Sequence, residues 1–303
     1  MMMTVQILFI IFAPFLFLGI INRIKAMWAG RKGSPLIQPL YDFLRLLRKG
    51  EVISKTTSII FKIAPAVNLS SVIFAFLILP LPAIGAVISF DGDFILFAYA
   101  LGLAKFLAIV ASLDTGSSFE GMGASREVTF STIVEPAFFI LLGTLALLTG
   151  QTSFDAIFNL LNSSAGYTVL IKILFAVSLI IMILTEGSRV PVDDPNTHLE
   201  LTMIHEVMIL DYSGPDLAFI FYSSGLKLVL LSSLLAEFFI PSNSVFSLII
   251  FIGIIFLTAA LIGIIESLIA RARMSHVPQF IFLMTALSLI AFAVVISFLR
   301  GGL

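Results

Sequence analysis

The stretch from Val245 to Ala270 reads VFSLIIFIGIIFLTAALIGIIESLIA and contains one ionisable side chain, Glu266. An α-helix rises about 1.5 Å per residue, so about 20 apolar residues cross the roughly 30 Å hydrocarbon core of a bilayer. The whole chain shares this character, because 59% of its 303 residues are hydrophobic, 12% are charged, and the mean hydropathy is +1.14. Soluble domains have roughly 45–50% apolar and 25% charged residues, so the composition predicts an integral membrane protein.

Other apolar stretches in the chain are long enough to cross a bilayer in the same way. They cover residues 4–22, 64–82, 94–113, 130–149, 167–186, 215–240 and 280–299. The first of them lacks a basic leader region and a small-residue cleavage site, so we interpret it as a retained span rather than a signal peptide. We therefore predict an all-α polytopic membrane protein with about eight transmembrane helices, forming a single membrane domain over residues 1–303.

The distribution of Lys and Arg predicts the orientation of the chain in the membrane. Of the 17 basic residues, only Arg300 falls on one side of the predicted spans, and Lys105, Lys172 and Lys227 fall inside spans. The other thirteen share the opposite side: Arg23, Lys25, Arg31, Lys32, Arg45, Arg48, Lys49, Lys55, Lys62, Arg126, Arg189, Arg271 and Arg273. Because basic loops stay on the cytoplasmic side, we expect these segments inside and both termini outside.

The segment between the first two spans, residues 29–62, is too long for a plain connector. It begins with a Gly- and Pro-containing turn and continues with apolar residues at helical spacing, namely Leu36, Leu40, Phe43, Leu44 and Leu47. This pattern predicts a cytoplasmic amphipathic helix in the membrane interface. Its polar residues would face headgroups or a docked partner, and we assign docking to Arg31, Gln38, Asp42 and Arg45. The alternative is an ordinary interfacial anchor without a partner.

Several ionisable residues lie at membrane depth, where each charge costs several kcal/mol or more. They are Lys105, Glu135, Lys172 and Glu237, with Lys227 as a further candidate. The alternative interpretation is snorkelling of a side chain from a helix end to the headgroups, and it is strongest for Glu266 and Arg271. Lys172 and Glu186 are 14 residues apart on one predicted helix. They therefore share a face but lie about 21 Å apart along the axis.

The loop over residues 186–216 is rich in carboxylates and contains His198 and His205. Asp194-Pro195 and a capping box from Thr197 predict a helix over about 195–210. A metal site and a plain solvated loop are both possible, but the acids do not follow a known ligand spacing and half of the loop is apolar. We favour a buried cluster of titratable groups that share protons, in a cytoplasmic acidic docking loop.

These patterns give two sets of candidate residues and no catalytic or metal-binding residue. We expect the first set to form a proton path: Glu135, Glu186, Glu200, Asp211, Glu206, Lys105, Lys172 and Glu237. The second set is the docking residues. To those already named in the first inner segment it adds Arg189, Asp193 and Asp194 of the acidic loop. The absence of cysteine excludes disulfides and Cys-ligated iron–sulfur clusters in this chain. Nucleic acid is a poor partner, because no dense basic run stands apart from the spans.

Two inner segments carry motifs of a known family. The strings Glu186-x-x-Arg189-x-Pro191-x-Asp193, Glu200-Leu201 and Asp211-Tyr212-Ser213-Gly214 resemble the inner loop of the ND1-like (H-type) membrane subunit of respiratory complex I. Gly33-x-Pro35, Gln38-Pro39, Asp42, Leu47 and Glu51 resemble its first inner segment. The segments Leu113–Phe119, Gly123–Glu127 and Glu135-Pro136 look closer to the equivalent subunit of formate hydrogenlyase, hydrogenase-4 and membrane-bound group 4 NiFe hydrogenases.

The resemblance implies a non-catalytic subunit of an energy-converting oxidoreductase in a prokaryotic inner (cytoplasmic) membrane. It implies that the chain anchors a peripheral arm and couples electron transfer there to proton or sodium translocation. Implied partners are hydrogenase-like large and small subunits, an iron–sulfur subunit and antiporter-like membrane subunits, with the NiFe centre and the iron–sulfur clusters in the partners. The alternatives are a quinone-binding subunit of an NADH-quinone oxidoreductase and, in another class, a stand-alone secondary ion transporter.

Overall fold

A computed structural model describes residues 2–82, 85–163, 168–194, 203–240 and 246–301. Within these ranges the chain is almost entirely helical, and one short 3-10 helix covers Glu206–Ile209. The α-helices in chain order are α1 (Met2–Trp28), α2 (Gln38–Leu47), α3 (Ile59–Ile78), α4 (Asp93–Asp114), α5 (Ser118–Thr149), α6 (Phe154–Ser163), α7 (Thr168–Glu186), α8 (Gly214–Glu237), α9 (Ser247–Leu268) and α10 (Val277–Gly301).

Eight of the described helices are long and apolar enough to cross a membrane, namely α1, α3, α4, α5, α7, α8, α9 and α10. This confirms the predicted all-α polytopic architecture and its number of spans. Large side chains such as Phe106, Ile249 and Leu257 remain more than 60% exposed on the outside of the bundle. That surface is stable only when lipid or another apolar partner covers it.

Helix α5 differs from its predicted bounds because it begins at Ser118 instead of about residue 130. Its first twelve residues, SFEGMGASREVT, are mostly small or polar, so hydropathy did not assign them to a span. At about 1.5 Å per residue, the 32 residues of α5 measure roughly 48 Å and project well beyond the apolar core. Glu120 and Glu127, which the sequence placed in a loop, therefore lie on a helix.

The predicted helix over about 195–210 is wrong for the part of it that the structure describes. Residues 203–210 contain a single 3-10 turn, and residues 195–202, with His198 and Glu200, lie outside the described residues. The reason is a competing set of hydrogen bonds, because Asp193 Oδ2 accepts the backbone N–H groups of Ile204 and His205, both at 3.1 Å. These donors are therefore not used in a helix.

The described loop residues 29–58, 115–117, 187–194, 203–213 and 269–276 meet at one end of the bundle, which we call the basic face. Helix α2 lies along this face and packs inward through Phe43, whose ring centroid is 5.5 Å from that of Phe15 and 5.4 Å from that of Tyr222. Close contact between this segment and α1 depends on Gly19, since a Cβ there would collide with the carbonyl oxygen of Leu36, just before α2. The predicted amphipathic segment is thus a real helix that is held against the bundle.

Candidate functional site

Lys105 is the centre of a set of buried ion pairs. It lies on α4 with a side chain that is 8% exposed, and its Nζ donates a hydrogen bond to Glu186 Oε1. The same Nζ is 3.6 Å from Glu127 Oε1 on α5. Glu186 in turn accepts a hydrogen bond of 3.2 Å from Lys227 on α8 through its second oxygen. Four spans are therefore tied together by charges, each of which is costly to bury without its partner.

His205 extends these ion pairs to the basic face. Its Nε2 is 3.2 Å from Glu127 Oε2, and its Nδ1 is 3.7 Å from Asp193 Oδ2. On the other side, Asp193 Oδ1 is 3.1 Å from Arg271 Nη2. Basic and acidic groups thus alternate along a continuous chain, which we call the buried network: Lys227, Glu186, Lys105, Glu127, His205, Asp193 and Arg271.

The environment of His205 keeps its imidazole protonated at neutral pH. Burial alone would lower the pKa of His205, but the charges of Glu127 and Asp193 outweigh it and raise this pKa to about 9. Burial likewise acts against the ionised form of Asp193. The contact with His205 and the charge of Arg271 nevertheless hold the pKa of Asp193 below its usual range. The loop end of the buried network is therefore charged under physiological conditions.

The loop that carries His205 is fixed to α5 by close backbone contacts. Asp193 Oδ1 accepts the N–H of Asp194 at 2.9 Å, in addition to its bonds to the next loop segment. A Cβ at Gly123 would lie 2.8 Å from the carbonyl oxygen of Ile204, so only glycine permits this approach. Arg126 Nη1 donates to the carbonyl oxygen of Met203 at 2.9 Å. These contacts bring His205 within reach of Glu127, one turn further along α5.

A second, smaller cluster also lies at the basic face. Glu266 on α9 is 3.3 Å from Arg189 through Oε1 and 2.6 Å from Lys25 through Oε2. The side chain of Glu266 is fully buried, and Arg189 is 9% exposed at its side chain. The sequence favoured snorkelling for Glu266 and Arg271, but both are paired with charged groups of the protein. Their contacts join α1, α9 and the acidic loop, so they stabilise the same end of the bundle.

A cavity of about 600 Å³ borders the buried network. Its charged wall is formed by Lys105, Glu127, Glu186, His205 and Lys227. Helix α2 and the residue Lys49 just after it cover the cavity with polar side chains, and α1 adds an apolar wall. The residues are Gln38, Asp42 and Arg45 on α2, with Lys49, and Pro14, Phe15 and Leu18 on α1. A space of this size holds many waters, since each occupies about 30 Å³ in the liquid.

A separate groove of about 1020 Å³ opens on the outside of the bundle between α3, α4 and α5. It is lined by Glu135, together with Ser131, Thr132, Ser71 and Lys105. Glu135 is exposed on this surface, five residues beyond Phe130, where the apolar part of α5 begins. A carboxyl group that faces lipid is unfavourable, so this groove requires a covering partner. Lys105 lines both the groove and the cavity.

The predicted proton-path residues separate into two groups in space. Lys105 and Glu186 are in the buried network, Glu206 lines the cavity, and Asp211 is exposed at the basic face. The remaining described members lie elsewhere: Glu135 in the outer groove, Lys172 near the start of α7, and Glu237 at the end of α8. Lys172 is about 21 Å from Glu186 along the helix axis, as the residue count requires.

The predicted docking residues also differ in their exposure. Arg31, Gln38, Asp42 and Arg45 are at the surface or partly exposed, and Asp194 is half-buried. Arg189 and Asp193 are 8% and 1% exposed, and both are engaged in internal ion pairs. Their geometry fits a role in holding the loop rather than in contacting a partner.

The sequence did not single out Glu127 as a site residue, although it contained a signal. Glu120, Glu127 and Glu135 are seven and eight residues apart, which places them within about 80° of one another on a helix. That signal was hidden because the sequence predicts a loop over the first part of α5. Within the described residues, no group of three or more His, Asp or Glu side chains is arranged to hold a metal ion.

The fold and its site define a class of protein, a polytopic helical membrane protein with charged groups buried between its spans. A protein-family profile described as NADH dehydrogenase matches residues 1–296. The chain belongs to this family. It is similar to hydrogenase-4 component C of Escherichia coli, with 31% identity over 285 residues that cover 90% of this chain and 89% of the relative.

Other relatives extend the similarity across related complexes. Formate hydrogenlyase subunit 4 of Escherichia coli is 25% identical over 274 residues, covering 86% of this chain and 87% of that protein. A subunit of the NADH-quinone oxidoreductase of Rickettsia africae is 25% identical over 207 residues, covering 68% of this chain and 60% of that protein. One chain in the structure of the membrane-bound sulfane sulfur reductase, an archaeal respiratory membrane complex, shares the fold with a TM-score of 0.84 at 20% identity, over 97% of this chain and 99% of that one.

Proposed function

We propose that this chain is the membrane subunit of a complex-I-like, energy-converting oxidoreductase of the hydrogenase type. In this role it anchors a peripheral redox arm at the basic face and couples electron transfer in that arm to translocation of protons or sodium ions. The observation that carries the proposal is the buried network, which runs without interruption from the acidic loop to Lys105 and Lys227 between the spans. A passive anchor would not need these costly charges.

The arrangement of the network suggests how coupling works. Glu127 and Glu186 share the ammonium group of Lys105, so protonation of one carboxylate lets Lys105 pair more closely with the other. His205 joins Glu127 to Asp193, and therefore a change of charge at the basic face alters the proton affinity of Glu127. Protons then move through Lys105 and bridging water toward Glu135 in the outer groove. The redox reaction in the peripheral arm and the movement of ions are therefore linked through Lys105 and His205, which each contact two carboxylates.

The two exposed polar surfaces fit different partners. The basic face, with helix α2 and the acidic loop, would receive the arm, whose NiFe centre and clusters lie in hydrogenase-like large and small subunits and in an iron–sulfur subunit. The groove around Glu135 would receive an antiporter-like membrane subunit, whose helices remove the carboxyl group from lipid and continue the ion path. We place the whole assembly in a prokaryotic inner membrane, with both termini outside.

Purification of the tagged protein in mild detergent tests this function. We expect co-purification of iron–sulfur and hydrogenase-like subunits and of larger membrane subunits, and we expect nickel in the preparation by elemental analysis. A preparation that contains only this chain and still moves ions in vesicles would contradict the proposal and favour a stand-alone transporter. Co-purified subunits without nickel, but with quinone reduction, would instead favour the NADH-quinone type.

The cavity is the observation that favours this second candidate, a quinone-binding role. Its volume, its apolar walls from α1 and its charged wall from the buried network could hold a ring with a polar edge and an apolar tail. The quinone-binding role is favoured if the purified complex reduces quinone and a Phe15→Trp substitution in the cavity wall selectively weakens this activity. Unchanged reduction in this variant would exclude the cavity as the quinone site.

The orientation of the chain gives a further prediction. Thirteen of the 17 basic residues gather toward the basic face, so this face should be cytoplasmic. Because the chain has no native cysteine, single cysteines can be introduced without background. We expect Asp91→Cys and Asp155→Cys to react with an impermeant thiol reagent in intact cells, while Ser117→Cys reacts only after the membrane is opened. Labelling of Ser117→Cys from outside would reverse the proposed orientation.

A further inference from the structure

Glu120, in the first turn of α5, is a buried acid that the network described above does not use. Its side chain is fully buried, and its Oε1 accepts the backbone N–H of Asp211 at 3.0 Å. Its Oε2 is also buried and receives no hydrogen bond within the described part of the chain. The nearby hydroxyl of Thr115 is shared, because it interacts with Glu120 and donates to the carbonyl oxygen of Ser112 at 2.8 Å. Among the described residues, one oxygen of Glu120 is therefore left without a donor of its own.

No basic residue in the described part of the chain forms an ion pair with this group. Among the ion pairs of the described residues, none includes Glu120 or Asp211, in contrast to every acid of the buried network. A buried carboxylate with no counter-ion and few hydrogen bonds is unfavourable as an anion. Glu120 is thus held ready to bind a proton, whereas Asp211 beside it is exposed to water.

The register of α5 aligns Glu120 with the network. Glu127 follows seven residues later, which is a rotation of only about 20° and a rise of about 10 Å along the helix. The cavity covers part of this gap. Its lining includes Glu127 at one end and Met208, Ile209 and Tyr212 at the other, close in sequence to Asp211, while Glu120 and Asp211 lie just outside the lining. Tyr212 itself is held by a hydrogen bond of 2.9 Å from its hydroxyl to the carbonyl oxygen of Phe61.

We propose that Glu120 is the proton-uptake residue of this subunit, filled from water through Asp211 and emptied toward Glu127. In each cycle the carboxylic acid of Glu120 gives its proton to water in the cavity, and that water chain delivers a proton to a carboxylate oxygen of Glu127. The carboxylate of Glu120 then regains a proton from Asp211, which is refilled from the aqueous phase. The inference rests on the proposed coupling function and adds the position at which protons enter the subunit.

The competing explanation is that Glu120 only holds the loop by accepting the N–H of Asp211. Glu120→Gln separates the two roles, because the amide oxygen can still accept this hydrogen bond but the side chain no longer carries a titratable proton. Asp114→Asn is the matched control, since Asp114 is another acid of the basic face and its Oδ2 accepts the N–H of Ser58. It holds Ser58, the N-cap residue of α3, and has no place in the uptake route.

The measurement is the number of protons taken up per electron by the purified complex in sealed vesicles. We expect Glu120→Gln to lose most of this ratio, with uptake about tenfold slower or more, and Asp114→Asn to retain the wild-type ratio. If Glu120→Gln fails to assemble, Asp211→Asn decides, because this exposed side chain is not needed for the fold. Its expected result is slower uptake with a steeper dependence on external pH.

Two outcomes distinguish this inference from the function on which it rests. The uptake role would be overturned, and the coupling function would stand, if Glu127→Gln loses the proton-to-electron ratio while Glu120→Gln keeps the wild-type ratio. Where Glu120→Gln does not assemble, Asp211→Asn replaces it in this comparison. Wild-type ratios in both Glu120→Gln and Glu127→Gln would overturn the two together.

Discussion

Replacement of Lys105 by methionine is expected to abolish ion translocation and to lower the stability of the complex. The substitution keeps most of the side-chain volume but leaves Glu127 and Glu186 as buried neighbours without their shared cation. Removing one partner of a buried ion pair costs about 3–5 kcal/mol. The two acids should respond by binding protons, and the alternation of charge along the network ends there. Electron transfer would then proceed slowly or without ion movement.

A double variant separates the stability effect from the coupling effect. In Lys105→Met combined with Glu186→Gln, one of the two carboxylates that shared Lys105 is neutralised and their mutual repulsion ends, so the melting temperature should rise above that of Lys105→Met alone. The ratio of ions to electrons should stay near zero in both variants. Lys62→Met, an exposed lysine on α3 at the same face, serves as the control and should behave as wild type. A coupled, stable Lys105→Met complex would be incompatible with the proposed path.

The spans could be predicted from the sequence because their cause is local. A run such as residues 245–270 is apolar over the width of a bilayer, and no tertiary contact is needed to decide that it crosses. The bounds of α5 could not be predicted in the same way, because residues 118–129 are helical through contacts with the acidic loop rather than through hydrophobicity. Gly123 shows this, because the absence of a side chain there allows the carbonyl oxygen of Ile204 in the loop to approach α5.

The site could be predicted only as a set of separate residues. Lys105 and Glu186 each stood out at membrane depth, but they are 81 positions apart, and only the packing of the spans brings them together. Arg271 illustrates the opposite error. Its place near a helix end made snorkelling the simpler interpretation, whereas Asp193 binds it inside the protein. Pairing between distant helices is not encoded in the local pattern, so neither partner could be identified from its neighbours in sequence.

Asp193→Asn is expected to release the loop that carries His205. The carboxylate of Asp193 accepts three backbone N–H groups and faces both Arg271 and His205, and the neutral amide loses both charge contacts. The cost should approach the range of about 3–5 kcal/mol for a broken buried pair, at its lower end because Arg271 and His205 are partly exposed. We expect a lower melting temperature and faster hydrogen exchange over residues 203–210, while Asp91→Asn on the opposite face leaves both unchanged.

The pH dependence of the melting temperature provides a sharper test of the same contact. The pKa of His205 is raised in the folded protein from 6.5 to about 9, so the protonated form is the one that stabilises the fold. In the wild type this contribution should be complete below about pH 6.5 and be lost as the pH rises through about 9. In Asp193→Asn the pKa of His205 should move back toward its ordinary value, because one of its two carboxylates is gone. The loss of stability should then be complete at a lower pH and be smaller in size. Identical pH profiles for the two proteins would mean that Asp193 does not hold the charge of His205, and the chain of ion pairs would end at Glu127.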